Sequence, residues 1–154
     1  MKKIALGADH RGYKAKNVVK AMLSDMGWEV LDYGTDSGKP IDYPDPAYAA
    51  AQAVQHHDCE LGILFCGTGI GMSITANKVN GIRAAVCHDE LTAEMARRHN
   101  DANVLCLPAD LVGDALMRRI VEVYLKTTYE GGRHESRLRK IKDIEKAQRD
   151  GQHS

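Results

Sequence analysis

The sequence lacks the features that would tie a chain to a membrane or a nucleic acid. No apolar run approaches the roughly 18 residues of a membrane span, and the apolar segment after Lys2 and Lys3 is too short for a secretory signal. Lys plus Arg and Asp plus Glu both number 21, so the formal net charge is zero. We therefore expect a cytoplasmic protein without nucleic-acid or membrane partners.

No Cys-x-x-Cys motif links the four cysteines, Cys59, Cys66, Cys87 and Cys106. Reduced thiols are therefore expected rather than disulfides. Three of these residues sit in or beside apolar runs and are interpreted as small buried hydrophobic residues. Cys66 stands apart, because a glycine-rich segment follows it.

Metal ligands are also missing from the sequence pattern. His56, His57 and His134 have no partner at ligand spacing and are interpreted as surface residues. Neither a metal nor a cofactor is expected.

Short β-like runs alternate with segments of helical periodicity, which predicts parallel strands joined by right-handed crossovers. The predicted strands are Lys3–Ala8, Trp28–Tyr33, Leu61–Cys66, Arg83–Cys87 and Asn103–Leu107. The predicted helices are Lys14–Met26, Pro46–His57, Ile70–Val79, Leu91–His99 and Leu111–Thr128. This pattern is typical of an α/β sandwich of three layers around a five-stranded parallel sheet.

A charged stretch after Gly131 and Gly132 predicts one more helix, Arg133–Arg149. Its apolar residues recur at spacings of three and form a narrow stripe, which suits packing on a neighbouring element or on a second subunit. The sequence therefore predicts a single domain over residues 1–149 with an extra C-terminal helix, followed by a flexible tail at 150–154.

The strand ends carry the candidate functional residues, because ligands of open α/β sheets bind beyond the carboxyl ends of the strands. The third predicted strand runs into the segment Cys66, Gly67, Thr68, Gly69, Ile70 and Gly71. Three glycines where a strand meets a helix allow backbone N–H groups to surround an anion. The alternative is a tight turn that needs glycine for its geometry alone.

Three common functions of glycine-rich loops do not fit this segment. A dinucleotide fingerprint, Gly-x-Gly-x-x-Gly, that begins at Gly67 would need glycine where Met72 stands, and a P-loop would need Gly-Lys-Ser/Thr at the helix start. A thiol phosphatase would need arginine at position 72. What remains as the candidate functional group is a single thiol just before the N-terminus of a predicted helix.

Such a position favours the thiolate form of a cysteine. A thiolate beside a row of backbone donors can remove a carbon-bound proton while the donors stabilise the resulting enediolate oxygen. Cys66 is thus a candidate general base, and an inert strand cysteine is the alternative.

His10 and His99 are grouped with Asp9 and Asn100 at predicted strand ends. Imidazole suits the proton transfers that open a cyclic sugar, although each histidine alone is also compatible with a structural role. Arg133 and Arg137 are four residues apart, so on a helix they would share one face and could clamp a phosphate. A solvated charged helix is the alternative.

Seven motifs together resemble the B-type ribose-5-phosphate isomerases, whose relatives act on galactose and allose 6-phosphates. They are Asp9-His10-Arg11-Gly12, Asp42-Tyr43-Pro44, Cys66–Gly71, Ala76-Asn77-Lys78, Gly81-Ile82-Arg83, His99–Val104 and Gly131-Gly132-Arg133-His134. The resemblance extends from the first strand to about Ile144. It implies a Rossmann-like homodimer, or a tetramer of such dimers, with active sites at the subunit interface and no cofactor or metal.

The resemblance also implies roles for the candidate residues. Cys66 is the base that moves a proton between C1 and C2, assisted by Thr68, while Gly67, Gly69, Ile70 and Gly71 hold the enediolate. His99 opens the sugar ring. Hydroxyl ligands are Asn100 and Asp9, and the phosphate end consists of His10, Arg133 and Arg137, partly from the partner subunit.

Two positions distinguish this chain from other members of the family, one for the base and one for the substrate. Members without the cysteine place a glutamate base where this chain has Met72, which favours the thiol mechanism here. Many members carry Gly-x-Arg after the last strand, with the arginine at the phosphate, whereas this chain has Asp110 at that position.

The leading hypothesis is therefore the interconversion of ribose 5-phosphate and ribulose 5-phosphate. The same chemistry on a six-carbon sugar phosphate or a free pentose is the alternative. A non-catalytic nucleotide- or flavin-binding module is the alternative of a different class.

Overall fold

The computed structural model describes residues 2–151 and contains one five-stranded sheet flanked by helices. The strands are β1 (Lys3–Ala8), β2 (Glu29–Asp32), β3 (Leu61–Cys66), β4 (Ala84–Val86) and β5 (Val104–Pro108). The helices are α1 (Tyr13–Asp25), α2 (Pro44–Gln55), α3 (Ile70–Ala76), α4 (Glu90–Asn100), α5 (Asp114–Lys126) and α6 (His134–Gly151). The strand order is β2-β1-β3-β5-β4, and all neighbouring pairs are parallel. The predicted fold class is confirmed.

Two apolar cores lie on the two faces of the sheet. The alternation of a strand sends Ile63 and Phe65 of β3 to one face and Leu64 and Cys66 to the other. Helices α1, α4 and α5 cover the first face, and α2 and α3 cover the second. The central strands are consequently buried on both sides, which explains their continuous apolar sequence.

Several predicted bounds differ from the observed ones for local reasons. The edge strand β4 is shorter than predicted because the N–H of Arg83 donates to the side chain of Asn103, at 2.8 Å, instead of joining the ladder. Helix α3 ends early because the N–H groups of Lys78 and Val79 bond three residues back, which tightens the last turn. Before α5, residues 109–111 form a turn, so the helix begins at Asp114 rather than at the predicted Leu111.

Helix α6 lies across the surface rather than in either core. The carboxylate of Glu145 accepts hydrogen bonds from the N–H of Gly81, with both oxygens at 3.0 Å. Ile141 and Ile144 remain 49% and 62% exposed, as expected for an apolar stripe that is available to another molecule. The helix continues two residues into the segment predicted as a tail, and residues 152–154 of that segment lie outside the described residues.

Among residues 2–151, no helix is long and apolar enough to cross a membrane.

Candidate active site

The carboxyl ends of β1 and β3 form the topological switch point of the sheet. The chain leaves β1 through α1 on one face and leaves β3 through α3 on the other, so a crevice opens between the two strand ends. Ala8 pairs with Phe65 in the sheet, and the N–H of Asp9 donates to the carbonyl of Phe65 at 3.2 Å. Asp9 and Cys66 therefore meet in this crevice.

The loop after β1 is held firmly against β3. One carboxylate oxygen of Asp9 accepts from the N–H groups of Arg11 and Gly12 at 2.9 and 3.0 Å, and Asp9 is only 6% exposed. A Cβ atom on Gly12 would lie 2.4 Å from the carbonyl oxygen of Phe65, so only glycine fits. The second oxygen of Asp9 has none of these bonds and is the one available to a ligand.

The thiol of Cys66 has a backbone donor aimed at it. The N–H of Gly69 donates to Sγ at 3.0 Å, from a residue at φ +78° that precedes α3. A backbone donor at this position can stabilise negative charge that develops on the sulfur. Glycine is required at position 69 because the left-handed backbone points the donor back toward the strand end.

The other three thiols are in different surroundings. Burial is the first cause that raises the pKa of Cys59 and of Cys106, and it raises the pKa of Cys87 to about 11. All four cysteines are free, as predicted. Cys66 lines an open cleft, so it is a thiol that can meet a substrate.

The cleft above Cys66 is open and has a volume of about 520 Å³. Its lining residues are Asp9, Arg11, Tyr43, Cys66, Gly67, Thr68, Ile70, Gly71, Ile74 and Asp110. We call this group the switch-point cleft. Its walls combine acidic, basic and apolar groups, and the exposed Ile70 and Ile74 lie along one side.

Two glycines of the loop admit neighbouring side chains. A Cβ on Gly71 would lie 2.5 Å from the ring of Tyr43, and one on Gly67 would lie 2.7 Å from the carboxylate of Asp110. The Asp110 carboxylate accepts from Nε of Arg11 at 2.6 Å. Sequence analysis had not assigned Tyr43 to the site, and no spacing in the sequence indicates that its ring covers Gly71.

His10 and Thr68 make local hydrogen bonds. Nδ1 of His10 accepts from the N–H of Ile41 at 3.2 Å, so the proton of the neutral ring is on Nε2, which can donate. Oγ1 of Thr68 accepts from the N–H of Ile70 at 3.2 Å, which leaves the hydroxyl proton available. Both residues lie in the loops after β1 and β3.

His99 and Asn100 lie near the amino ends of the strands, at the opposite end from Cys66. They end α4, which runs antiparallel to the strands and returns the chain to the amino end of β5. Nε of Arg83, just before β4, donates to the carbonyl of Asn100 at 3.0 Å. Because a five-residue strand spans about 17 Å, one chain cannot bring His99 to Cys66. Their grouping with the residues that follow β1 and β3 is therefore wrong for a single chain.

His134 is buried, contrary to its interpretation as a surface residue. It is 7% exposed, and its ring stacks on that of His99 with centroids 4.4 Å apart and planes inclined by 16°. Burial first, and then the neighbouring charge of His99, lowers the pKa of His134. His56 and His57 are exposed, as predicted. No sequence pattern indicated this contact between residues 35 positions apart.

Ligand atoms of His99, Glu130 and His134 lie within 4.8 Å of one another, and we call these three residues the histidine cluster. Two nearly parallel rings cannot both direct an in-plane lone pair at one ion. Glu130 is also paired with Arg98 at 3.1 Å. The geometry therefore favours an imidazole stack over a metal site.

Arg133 and Arg137 lie on the exposed side of the histidine cluster. Both are exposed, and the charge of each contributes to lowering the pKa of His134. Two cations four residues apart beside a stacked imidazole pair form a positively charged surface. This surface suits an anion such as phosphate.

The fold and the two groups of residues define a class, that of α/β proteins with a thiol at the switch point and imidazoles on a separate surface. The family described as Ribose/Galactose Isomerase matches residues 4–141. This chain belongs to that family of isomerases. The resemblance drawn from the sequence motifs is confirmed.

Individual relatives agree. The chain is 48% identical to ribose-5-phosphate isomerase B of Escherichia coli K12, over 94% of this chain and 97% of the relative. It is 44% identical to D-erythrulose-4-phosphate isomerase of Pectobacterium atrosepticum, over 92% and 93%. It resembles the structure of ribose-5-phosphate isomerase B from Mycoplasma genitalium with bound ribulose 5-phosphate, with a TM-score of 0.90, 42% identity, and coverage of 94% and 96%.

Proposed function

We propose that this chain interconverts ribose 5-phosphate and ribulose 5-phosphate through a cis-enediolate. The observation that carries the proposal is the hydrogen bond of 3.0 Å from the Gly69 N–H to Sγ of Cys66, in a cleft lined by further backbone groups of the same loop. A thiolate held in this way can remove the proton from C2 and return it to C1.

The enediolate oxygens that form during this transfer need donors that are already in place. The loop Gly67–Gly71 supplies backbone N–H groups, and the hydroxyl of Thr68 can donate from the same side. Asp9 offers its unbonded oxygen to a sugar hydroxyl, and Nε2–H of His10 can donate to the substrate. Donors fixed by the backbone do not need to reorganise as charge develops.

Ring opening requires a second proton-transfer group, and we assign it to His99 of a second copy of the chain. In one chain, His99 and Asn100 lie near the amino ends of the strands, whereas Cys66 lies at a carboxyl end. A homodimer with two-fold symmetry would place His99, Asn100, Arg133 and Arg137 of each copy over the switch-point cleft of the other. Exposed Ile70 and Ile74, one helical turn apart beside the cleft, provide apolar surface for this contact.

Relatives of the chain support the choice of substrate. A relative binds ribulose 5-phosphate, and the one from Escherichia coli is named for ribose 5-phosphate. The carboxylate of Asp110 beside Arg11 makes the mouth of the cleft less positive, so a different sugar remains the second candidate. The relatives reported above are isomerases, which leaves the nucleotide- or flavin-binding alternative without support.

The test is turnover of ribose 5-phosphate by the unaltered protein, with allose 6-phosphate, D-erythrose 4-phosphate and free ribose measured beside it. Replacing Cys66→Ala is expected to lower kcat by about 10²- to 10⁴-fold, the usual contribution of a general base. Cys59→Ala is the matched control, because Cys59 is buried but does not line the cleft. Full activity of Cys66→Ala would disprove the thiol mechanism.

A further inference from the structure

His134 is the residue of α6 whose burial needs an explanation. Of the helix His134–Gly151, only His134 is buried, and its side-chain Nε2 makes no hydrogen bond within the described part of the chain. Burying an unpaired polar nitrogen is costly, and an apolar side chain would fill the same space without that cost. A histidine at this position therefore indicates a task for the ring.

The contact of the ring shows what the task is. The imidazole of His134 lies face to face with that of His99, with centroids 4.4 Å apart and an inclination of 16°. His99 is in the last turn of α4 and is partly exposed, so without a neighbour its side chain would sample several rotamers. The stack restricts the ring of His99 to one orientation.

The surroundings fix the position of His134, and burial lowers the pKa of its ring. Oε1 of Glu130 lies 3.9 Å from Nε2 of His134, Arg98 pairs with Glu130 at 3.1 Å, and the Glu130 N–H donates to the Arg98 carbonyl. This chain of contacts ties the start of α6 to the end of α4. A neutral ring can face His99 whether His99 carries a proton or not, whereas two charged rings would repel.

We infer that His134 is a positioning residue whose stacked ring holds the His99 imidazole in the orientation for opening the sugar ring. The inference rests on the role proposed above for His99. It assigns no contact with the substrate to His134 itself.

Two substrates separate ring opening from the rest of the reaction. Ribose 5-phosphate closes into a five-membered ring and must be opened. D-erythrose 4-phosphate cannot close such a ring, because its O4 carries the phosphate. Both substrates need the thiol and the phosphate contacts, so only the first depends on the orientation of His99.

The experiment compares His134→Leu with His134→Phe, because phenylalanine retains a flat ring and leucine does not. For His134→Leu, we expect kcat/KM for ribose 5-phosphate to fall about 10- to 100-fold through misorientation, while that for D-erythrose 4-phosphate changes about twofold or less. His134→Phe should restore most of the activity. Equal losses on both substrates, or no rescue by phenylalanine, would overturn the inference, because His134 would then bind phosphate or serve only stability.

A second measurement does not depend on turnover. In NMR spectra, the carbon-bound ring protons of His99 should show a ring-current shift that persists in His134→Phe and disappears in His134→Leu. An unchanged shift in His134→Leu would also overturn the inference. Failure of the proposed function has a different signature, since the unaltered protein would then turn over neither sugar.

Discussion

The switch-point cleft and the histidine cluster are built in opposite ways. The cleft is made by two short loops, each directly after a central strand, with backbone N–H groups and glycines fixing its shape. The cluster is made by side chains, where the last turn of α4 meets the first residue of α6. One region is determined by the backbone and the other by packing.

Each region contains what the other lacks. The cleft has a thiol and donors for an oxyanion but no imidazole among its lining residues, all of which are described. The cluster has two imidazoles beside Arg133 and Arg137 but no thiol. Because they lie at opposite ends of the strands, the proposed function requires two chains to form a complete site.

The largest effect we predict comes from mixing two inactive variants. Cys66→Ala and His99→Asn should each lower turnover by about 10²-fold or more, since each removes a proton-transfer group. After unfolding and refolding together in equal amounts, half of the dimers are mixed and each has one intact site. Turnover should therefore return to about a quarter of that of the unaltered protein.

The control for mixing is each variant refolded alone, which should stay inactive. A mixture that regains no activity would mean that Cys66 and His99 do not act across a subunit interface. Analytical ultracentrifugation of the same samples would show whether dimers had formed.

A smaller effect is expected on stability, when a glycine of each region is replaced by alanine. Gly12→Ala should lower the free energy of unfolding by about 3 kcal/mol, because the added Cβ meets the backbone of a central strand, which cannot move. Gly132→Ala, beside the cluster, has no atom within 4 Å, and its φ of +57° should cost about 1 kcal/mol. Urea unfolding measures both.

Gly38→Ala is the control for these substitutions, since it has neither a close neighbour nor a left-handed backbone. Its stability should match that of the unaltered protein. A larger loss for Gly132→Ala than for Gly12→Ala would contradict the view that the cleft is the region fixed by its backbone.

The same contrast explains what could be predicted from the sequence. The strands, the helices and the cleft residues from Asp9 to Gly12 and from Cys66 to Gly71 were accessible, because each depends on a continuous segment with its own glycine or apolar pattern. The position of His99 within one chain was not accessible, because the direction of α4 places its end beside the amino end of β5, away from Cys66. The stack of His99 on His134 had no signal at all, since it depends on how two distant helices pack.

The smallest effects we predict come from breaking two exposed ion pairs, Arg11–Asp110 in the cleft and Arg98–Glu130 at the cluster. Asp110→Asn and Glu130→Gln should both leave the thermal stability nearly unchanged, because exposed pairs contribute little. The two substitutions should differ in their effect on the binding of anions. Asp110→Asn frees the guanidinium of Arg11 above Gly67, so inorganic phosphate should inhibit turnover about three- to tenfold more strongly. Glu130→Gln leaves the Arg11–Asp110 pair intact, so inhibition by phosphate should strengthen less in that variant. An inhibition constant for phosphate that is equal in both variants would show that Asp110 does not control the charge of the cleft.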